Sequence, residues 1–199
     1  MRGKPLRKWS RATLYLPYVF FMTALALYCA LILLAPLLAS QQSPLAPLLY
    51  DFFAAQCHQL TARSLCLYVD GGYRVADCMP QNGTLNYSKQ IEVWNELGHG
   101  FKFGMCARDT AIFFGMLVGG LAAPFVVGAR GTRWPNKWLL VAAMVPIAVD
   151  GVTQLLGLRE STNALRLLTG GLIGVVMPLY IIPILNQIWQ SILETRLAF

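Results

Sequence analysis

Four apolar stretches, residues 13–39, 110–129, 137–157 and 163–189, are each long enough to cross a bilayer, and they constrain this chain more than any other feature. A hydrocarbon core of about 30 Å takes roughly 20 apolar residues as a helix, and lipid offers no water to a backbone that does not bond to itself. Composition agrees: 56% of the 199 residues are hydrophobic and 13% are charged, with a mean hydropathy of +0.53, outside the range of ordinary soluble domains. The expected fold class is an all-α polytopic membrane protein, a single integral domain over residues 1–199. It has four transmembrane helices and a long outer loop over residues 40–109.

Charge sets the orientation. Arg2, Lys4, Arg7, Lys8 and Arg11 precede the first span, Arg130, Arg133 and Lys137 lie between the second and third, and Arg196 follows the fourth. Only Arg159 and Arg166 compete from the other short loop. The positive-inside bias then places both termini in the cytoplasm of a multi-pass plasma-membrane protein. The first apolar run exceeds a signal-peptide core of about 7–15 residues and reads as an uncleaved anchor. The net charge of +7 is mostly a topology signal. No nucleic-acid partner is expected, because no basic patch is interleaved with stacking aromatics. The expected partners are the lipid bilayer and other membrane subunits.

Inside the long loop, a Pro-rich break at residues 43–47 precedes Leu48, Leu49, Phe52 and Phe53, which recur at the spacing of a short amphipathic helix. It ends in Cys57-His58-Gln59, with Cys57 on the apolar face. Residues 65–69 and 73–78 alternate around Asp70-Gly71-Gly72 and predict a β-hairpin. Cys66 and Cys78 stand on its two arms, a natural disulfide in an oxidising compartment. Ile91, Trp94 and Leu97, followed by Gly98, predict a second short amphipathic helix over residues 88–97. Asn82-Gly83-Thr84 and Asn86-Tyr87-Ser88 are glycosylation sequons. Gly115 with Gly119, and Gly170 with Gly174, give small faces for close helix packing.

The polar residues of the spans gather on the outer side. Asp150 falls in the outer half of the third span, Gln154 lies one turn later, and Arg159-Glu160-Ser161-Thr162-Asn163 form the outer turn. An ionisable group at membrane depth marks a functional site by default. Arg166, near a helix start, opposes the macrodipole and asks for a carboxylate partner, Asp150 or Asp109. Cys106-Ala107-Arg108-Asp109 opens the second span on the same side. Cys57, His58, Cys106 and Asp109 together form a chemically sensible zinc quartet. The alternative is a Cys57 to Cys106 disulfide with His58 merely hydrogen-bonded, and the two readings exclude each other.

Cys57-His58-Gln59, Arg63-Ser64, Cys106-Ala107-Arg108, Gly115 and the run Asp150-Gly151, Gln154, Gly157, Arg159 through Asn163, Arg166 and Thr169-Gly170 resemble the motifs of an uncharacterised prokaryotic family of predicted membrane proteins. The resemblance covers about residues 53–174 and implies that these segments form one set. In that family the second motif is commonly Cys-Ala-Arg-Cys, whereas its fourth position here is Asp109. Residues 66–100 look like an insertion. With Asp109 in place, no vicinal dithiol exists for a Cys-x-x-Cys redox centre, but a carboxylate can replace a thiolate on zinc.

Two functions fit. In the first, an outward-facing pocket binds metal or acts on a headgroup-like anion, with Asp150 or His58 as general base and Arg108, Gln154, Arg159, Glu160, Asn163 and Arg166 as ligand contacts. In the second, the chain is a non-catalytic accessory subunit of a membrane complex, and the same groups satisfy one another. A transporter would need an inverted repeat and paired broken helices, neither of which is present.

Overall fold

The computed structural model describes residues 10–79 and 89–196. Arg2, Lys4, Arg7, Lys8 and both glycosylation sequons lie outside them. Among the described residues, four helical segments are long and apolar enough to cross a membrane: Ala12–Ser40, Ala107–Val126, Lys137–Leu155 and Asn163–Thr195. They comprise α1 (Arg11–Ser40), α3 (Ala107–Val126), α4 (Lys137–Leu155) and the pair α5 (Asn163–Val176) and α6 (Pro178–Arg196). Pro178 has no N–H to donate, which interrupts the ladder there, yet Met177 N–H still bonds Ile173 O at 3.0 Å, so α5 and α6 run on as one span. At 33 residues and about 1.5 Å per residue this span is roughly 50 Å long, well beyond the hydrocarbon core.

α3 lies along α5 through glycines on both helices. A Cβ at Gly119 would collide with the Val175 carbonyl, and one at Gly170 would stand 2.5 Å from the Arg108 carbonyl. This close approach sets the beginning of α3 beside the beginning of α5, where the polar residues are. At the other end of the bundle Trp189 Nε1 donates to Thr13 O at 2.9 Å, and Asn186 Nδ2 reaches the carbonyls of Ala129 and Gly131 at 3.2 and 2.9 Å.

Between α1 and α3 lie α2 (Leu45–Ala54), a 3-10 turn (Thr61–Arg63) and a four-stranded antiparallel sheet of β1 (Leu65–Tyr68), β2 (Arg74–Asp77), β3 (Glu92–Asn95) and β4 (Gly98–Lys102). The strand order is β2-β1-β4-β3. The expected hairpin is β1 and β2, with Cys66 opposite Ala76 in register, and Cys66 and Cys78 are disulfide-bonded. The sheet rests on Ile32, Ala35 and Ala39 of α1 and on Ala46, Tyr50 and Phe53 of α2, with Leu67, Phe101, Phe103 and Met105 filling the contact.

Three expectations need correction here. The fold is mostly helical but not all-α, and the segment expected as a second amphipathic helix is β3. Ile91, Trp94 and Leu97 fit a helical period, but Val93 pairs with Gly100 and Trp94 with His99. Gly98, at φ 103°, turns the hairpin rather than stopping a helix, and Asn95 Oδ1 accepts from Leu97 N at 2.8 Å within that turn. Pairing to a neighbouring strand outweighs a weak local period. The inward face of α2 also differs: Ala46, Tyr50 and Phe53 are buried, whereas Leu48 and Phe52 are exposed.

Candidate functional site

The run from Asp150 to Arg166 builds its own turn. Gly157, at φ 69°, takes the left-handed conformation that ends α4, and Leu158 N–H reaches back to Thr153 O at 3.0 Å, as in a Schellman cap. Thr162 then caps α5 by accepting from Leu165 N at 3.2 Å. Reversing the chain this tightly returns Arg159 over α4, where its Nε donates to Thr153 Oγ1 at 3.2 Å.

Asp150 is the closed half of the site. Its side chain is 1% exposed. Arg108 from α3 pairs with Oδ2, Arg159 donates to Oδ1 at 2.9 Å, and Ser161 Oγ donates to Oδ2 at 2.9 Å. Both carboxylate oxygens are thus engaged by donors from one helix and a turn. Asn163, also buried, donates to the carbonyls of Ser64 and Ala62 at 3.3 and 3.5 Å and accepts from Arg166 Nη1 at 2.8 Å. The partner expected for Arg166 was Asp150 or Asp109. The nearest carboxylate is instead that of Glu160, 3.7 Å away, because Arg108 and Arg159 already occupy Asp150.

The open half is a cavity of about 190 Å³ beside it. Cys57, Cys106 and Asp109 line it with Arg63, Arg108 and Arg166, and His58, Gln154, Gln56, Gln59 and Leu60 complete the wall. Arg159, Glu160, Asn163 and Asp150 are not lining residues.

Cys106 is the N-cap of α3, and its thiol hydrogen-bonds Asp109 Oδ2 at 3.1 Å. Asp109 stands in the first helical turn, where the macrodipole favours a negative charge. Cys57 arrives from the far side of the chain through a specific clamp. Gln59 adopts the left-handed region at φ 53°, a conformation costing on the order of 1 kcal/mol for a non-glycine. Its side-chain amide donates to Tyr50 O at 2.7 Å and Gly104 O at 3.1 Å, tying the Cys57 loop to both α2 and the lead-in to α3.

Cys57 Sγ, Cys106 Sγ and an Asp109 carboxylate oxygen all lie within 4.8 Å of one another. Both thiols are free, so the Cys57 to Cys106 disulfide is not formed. A hydrogen bond from Cys106 brings the Cys57 thiol down to about 7, against the opposing effect of burial, and the same contact together with burial pushes Cys106 up. His58, the fourth member of the expected quartet, is exposed on the wall of the cavity and outside this cluster.

Two residues without an expected role belong to this neighbourhood. Arg63 appears only as part of the family motif, yet it lines the cavity 3.8 Å from Glu160. Lys102 is fully buried in β4, with Nζ donating to Gln59 O at 2.6 Å. Burial pushes its ammonium down to about 8, while the nearby Cys57 acts the other way. Nothing in a Gly-His-Gly-Phe-Lys stretch signals a buried cation.

This chain resembles membrane proteins of archaea. Residues 97–180 match the family described as Predicted membrane protein (DUF2085). The matched segment contains Cys106 through Asp109 and the whole run from Asp150 to Gly170, but begins after Cys57-His58-Gln59. An uncharacterized protein of Methanocaldococcus jannaschii is 48% identical over 85 residues, 43% of this chain and 54% of its own length. Another, from Methanothermobacter thermautotrophicus, is 38% identical over 71 residues, 36% of this chain and 62% of its own. The matches therefore span little more than half the length of these relatives. No solved structure matches the chain.

Proposed function

We propose that this protein is a multi-pass plasma-membrane protein whose outer end carries a metal-binding pocket for a headgroup-like anionic ligand. In this reading Cys57, Cys106 and Asp109 hold a zinc-class cation. The observation that carries it is the convergence of two free thiols and a carboxylate within 4.8 Å on the wall of a 190 Å³ cavity. Three protein ligands leave a fourth position open to the cavity, as in zinc sites that do chemistry rather than only hold structure. Bound there, the metal would polarise a ligand oxygen or activate a water.

The chain's own groups divide the remaining work. Arg63, Arg108 and Arg166 present guanidiniums to an anion. His58 is the proton carrier, and Gln154 orients the ligand by hydrogen bonding. Asp150 positions Arg108 rather than acting as a base, because both of its oxygens are already engaged by cations. The Cys66 to Cys78 disulfide supports an oxidising, outward location for the sheet end. The opposite end, with Arg130, Arg133 and Lys137, then faces the cytoplasm. The roughly 50 Å length of the α5–α6 span allows its first turns, and with them Arg166, to stand at headgroup depth.

Metal analysis of the purified protein tests this reading. One zinc per chain is expected, retained by Cys66→Ala and lost from Cys57→Ser, Cys106→Ser and Asp109→Ala. Protein free of stoichiometric metal, with Cys57 and Cys106 oxidised to each other, would contradict it.

The second reading, an accessory subunit, is favoured by the pairing around Asp150, which needs no ligand to be complete. Consistent recovery of one larger membrane complex in native purification is its expected result.

A further inference from the structure

We infer that Glu160 is a tethered counter-ion occupying an anion seat between Arg63 and Arg166, and that a phosphate-class oxyanion displaces it on binding. The inference rests on the pocket reading above but not on its metal.

Arg166 is the most confined of the cavity's cations, with a side chain 3% exposed. Among the described residues its one short side-chain hydrogen bond goes to a neutral amide, Asn163 Oδ1 at 2.8 Å. Glu160 Oε2 stands 3.7 Å from Arg166 and 3.8 Å from Arg63, too far for a hydrogen bond to either. The same oxygen accepts from Gln154 Nε2 at 3.2 Å instead. A guanidinium this buried is normally matched by a close, bidentate carboxylate or phosphate, because its desolvation is otherwise poorly compensated.

Glu160 has the freedom such a place-holder needs. It projects from the turn between α4 and α5, its side chain is 38% exposed, and it is not part of the cavity wall. It can swing to solvent and leave both guanidiniums for a ligand. Arg108 lines the same cavity, and its buried Nε has no acceptor among the described residues. Three guanidiniums drawn from the 3-10 turn, α3 and α5 suit an anion that offers several oxygens, as phosphate does, better than a carboxylate with two.

The test uses the full chain in detergent, calorimetric titration, and two probes: inorganic phosphate and dihexanoyl phosphatidic acid. Glu160→Gln removes the competing charge and should tighten binding about threefold. Arg63→Gln should weaken it about tenfold, with an unchanged melting midpoint showing that the fold survives. Preference for the lipid assigns the seat to a headgroup, and equal binding assigns it to a free anion; both outcomes support the seat. Weaker or unchanged binding by Glu160→Gln, or no binding of either probe by either protein, overturns it. Zinc measured on the same samples separates the two proposals. Zinc held without phosphate binding removes this inference alone, and phosphate bound without zinc removes the metal reading alone.

Discussion

Two carboxylates face the same end of the bundle, and their surroundings differ in a way that separates a structural lock from a ligand site. Asp150 is sealed: two guanidiniums and a hydroxyl from α3 and the α4–α5 turn engage its oxygens. Asp109 has a thiol at 3.1 Å and opens onto a cavity shared with a second thiol and three arginines. Arg108 belongs to both, pairing with Asp150 while lining the cavity. In a low-dielectric end of a membrane protein, complete pairing stabilises one arrangement and has nothing left to bind with. Incomplete pairing around a void is what a ligand can complete.

The largest effect should come from breaking the sealed half. Asp150→Ala leaves Arg108 and Arg159 facing each other without their shared counter-ion, and should destabilise the fold by about 3–5 kcal/mol, read as a lowered melting midpoint in detergent. A loss below 1 kcal/mol would show that the network is not a lock. Next is the disulfide, which lies beyond the cavity and should act on stability alone. Paired Cys66→Ala and Cys78→Ala should cost about 3 kcal/mol, with zinc content unchanged. A loss of metal there would mean that the sheet shapes the site.

A smaller and pH-dependent effect is expected from Lys102. Its folded value of about 8 lies below the ordinary 10.5, so between those limits the unfolded chain holds more protons than the folded one. Stability should therefore rise as pH climbs from about 8 toward 10.5, and Lys102→Met should flatten that slope. A slope that survives the substitution assigns the effect elsewhere. Gln59→Ala removes two hydrogen bonds, together worth about 1–3 kcal/mol. It should loosen Cys57 enough to weaken zinc by about 10–100-fold, as losses of supporting groups around metals do. The smallest stability change belongs to Arg63→Gln, about 0–1 kcal/mol, since its ion pair is loose and partly exposed. Stability and ligand binding should thus separate cleanly at Arg63 and coincide at Arg108.

The membrane helices were legible because length and apolarity alone identify a span: three candidate spans match their expected stretches to within about three residues, and the fourth starts where expected but runs on to Thr195. The β1–β2 hairpin and its disulfide were legible because Asp70-Gly71-Gly72 and the alternation around it are local signals. β3 was not, since its spacing fits two periods and only its partner strand decides between them. At the site, residue types announced Cys57, Cys106, Asp109 and Asp150, but not how the charges are shared. Arg166 paired loosely with Glu160 because two other arginines reach Asp150, and that competition exists only in three dimensions. Lys102 was invisible for the same reason, and Gln59, though part of the Cys57-His58-Gln59 motif, gave no sign of its clamp: both roles rest on contacts between α2, β4 and the Cys57 loop.

Zinc K-edge X-ray absorption on the metal-loaded protein addresses the open half most directly. Two sulfur scatterers at about 2.3 Å, accompanied by nitrogen or oxygen, are expected from Cys57, Cys106 and Asp109. A first shell of nitrogen and oxygen alone would contradict the assignment.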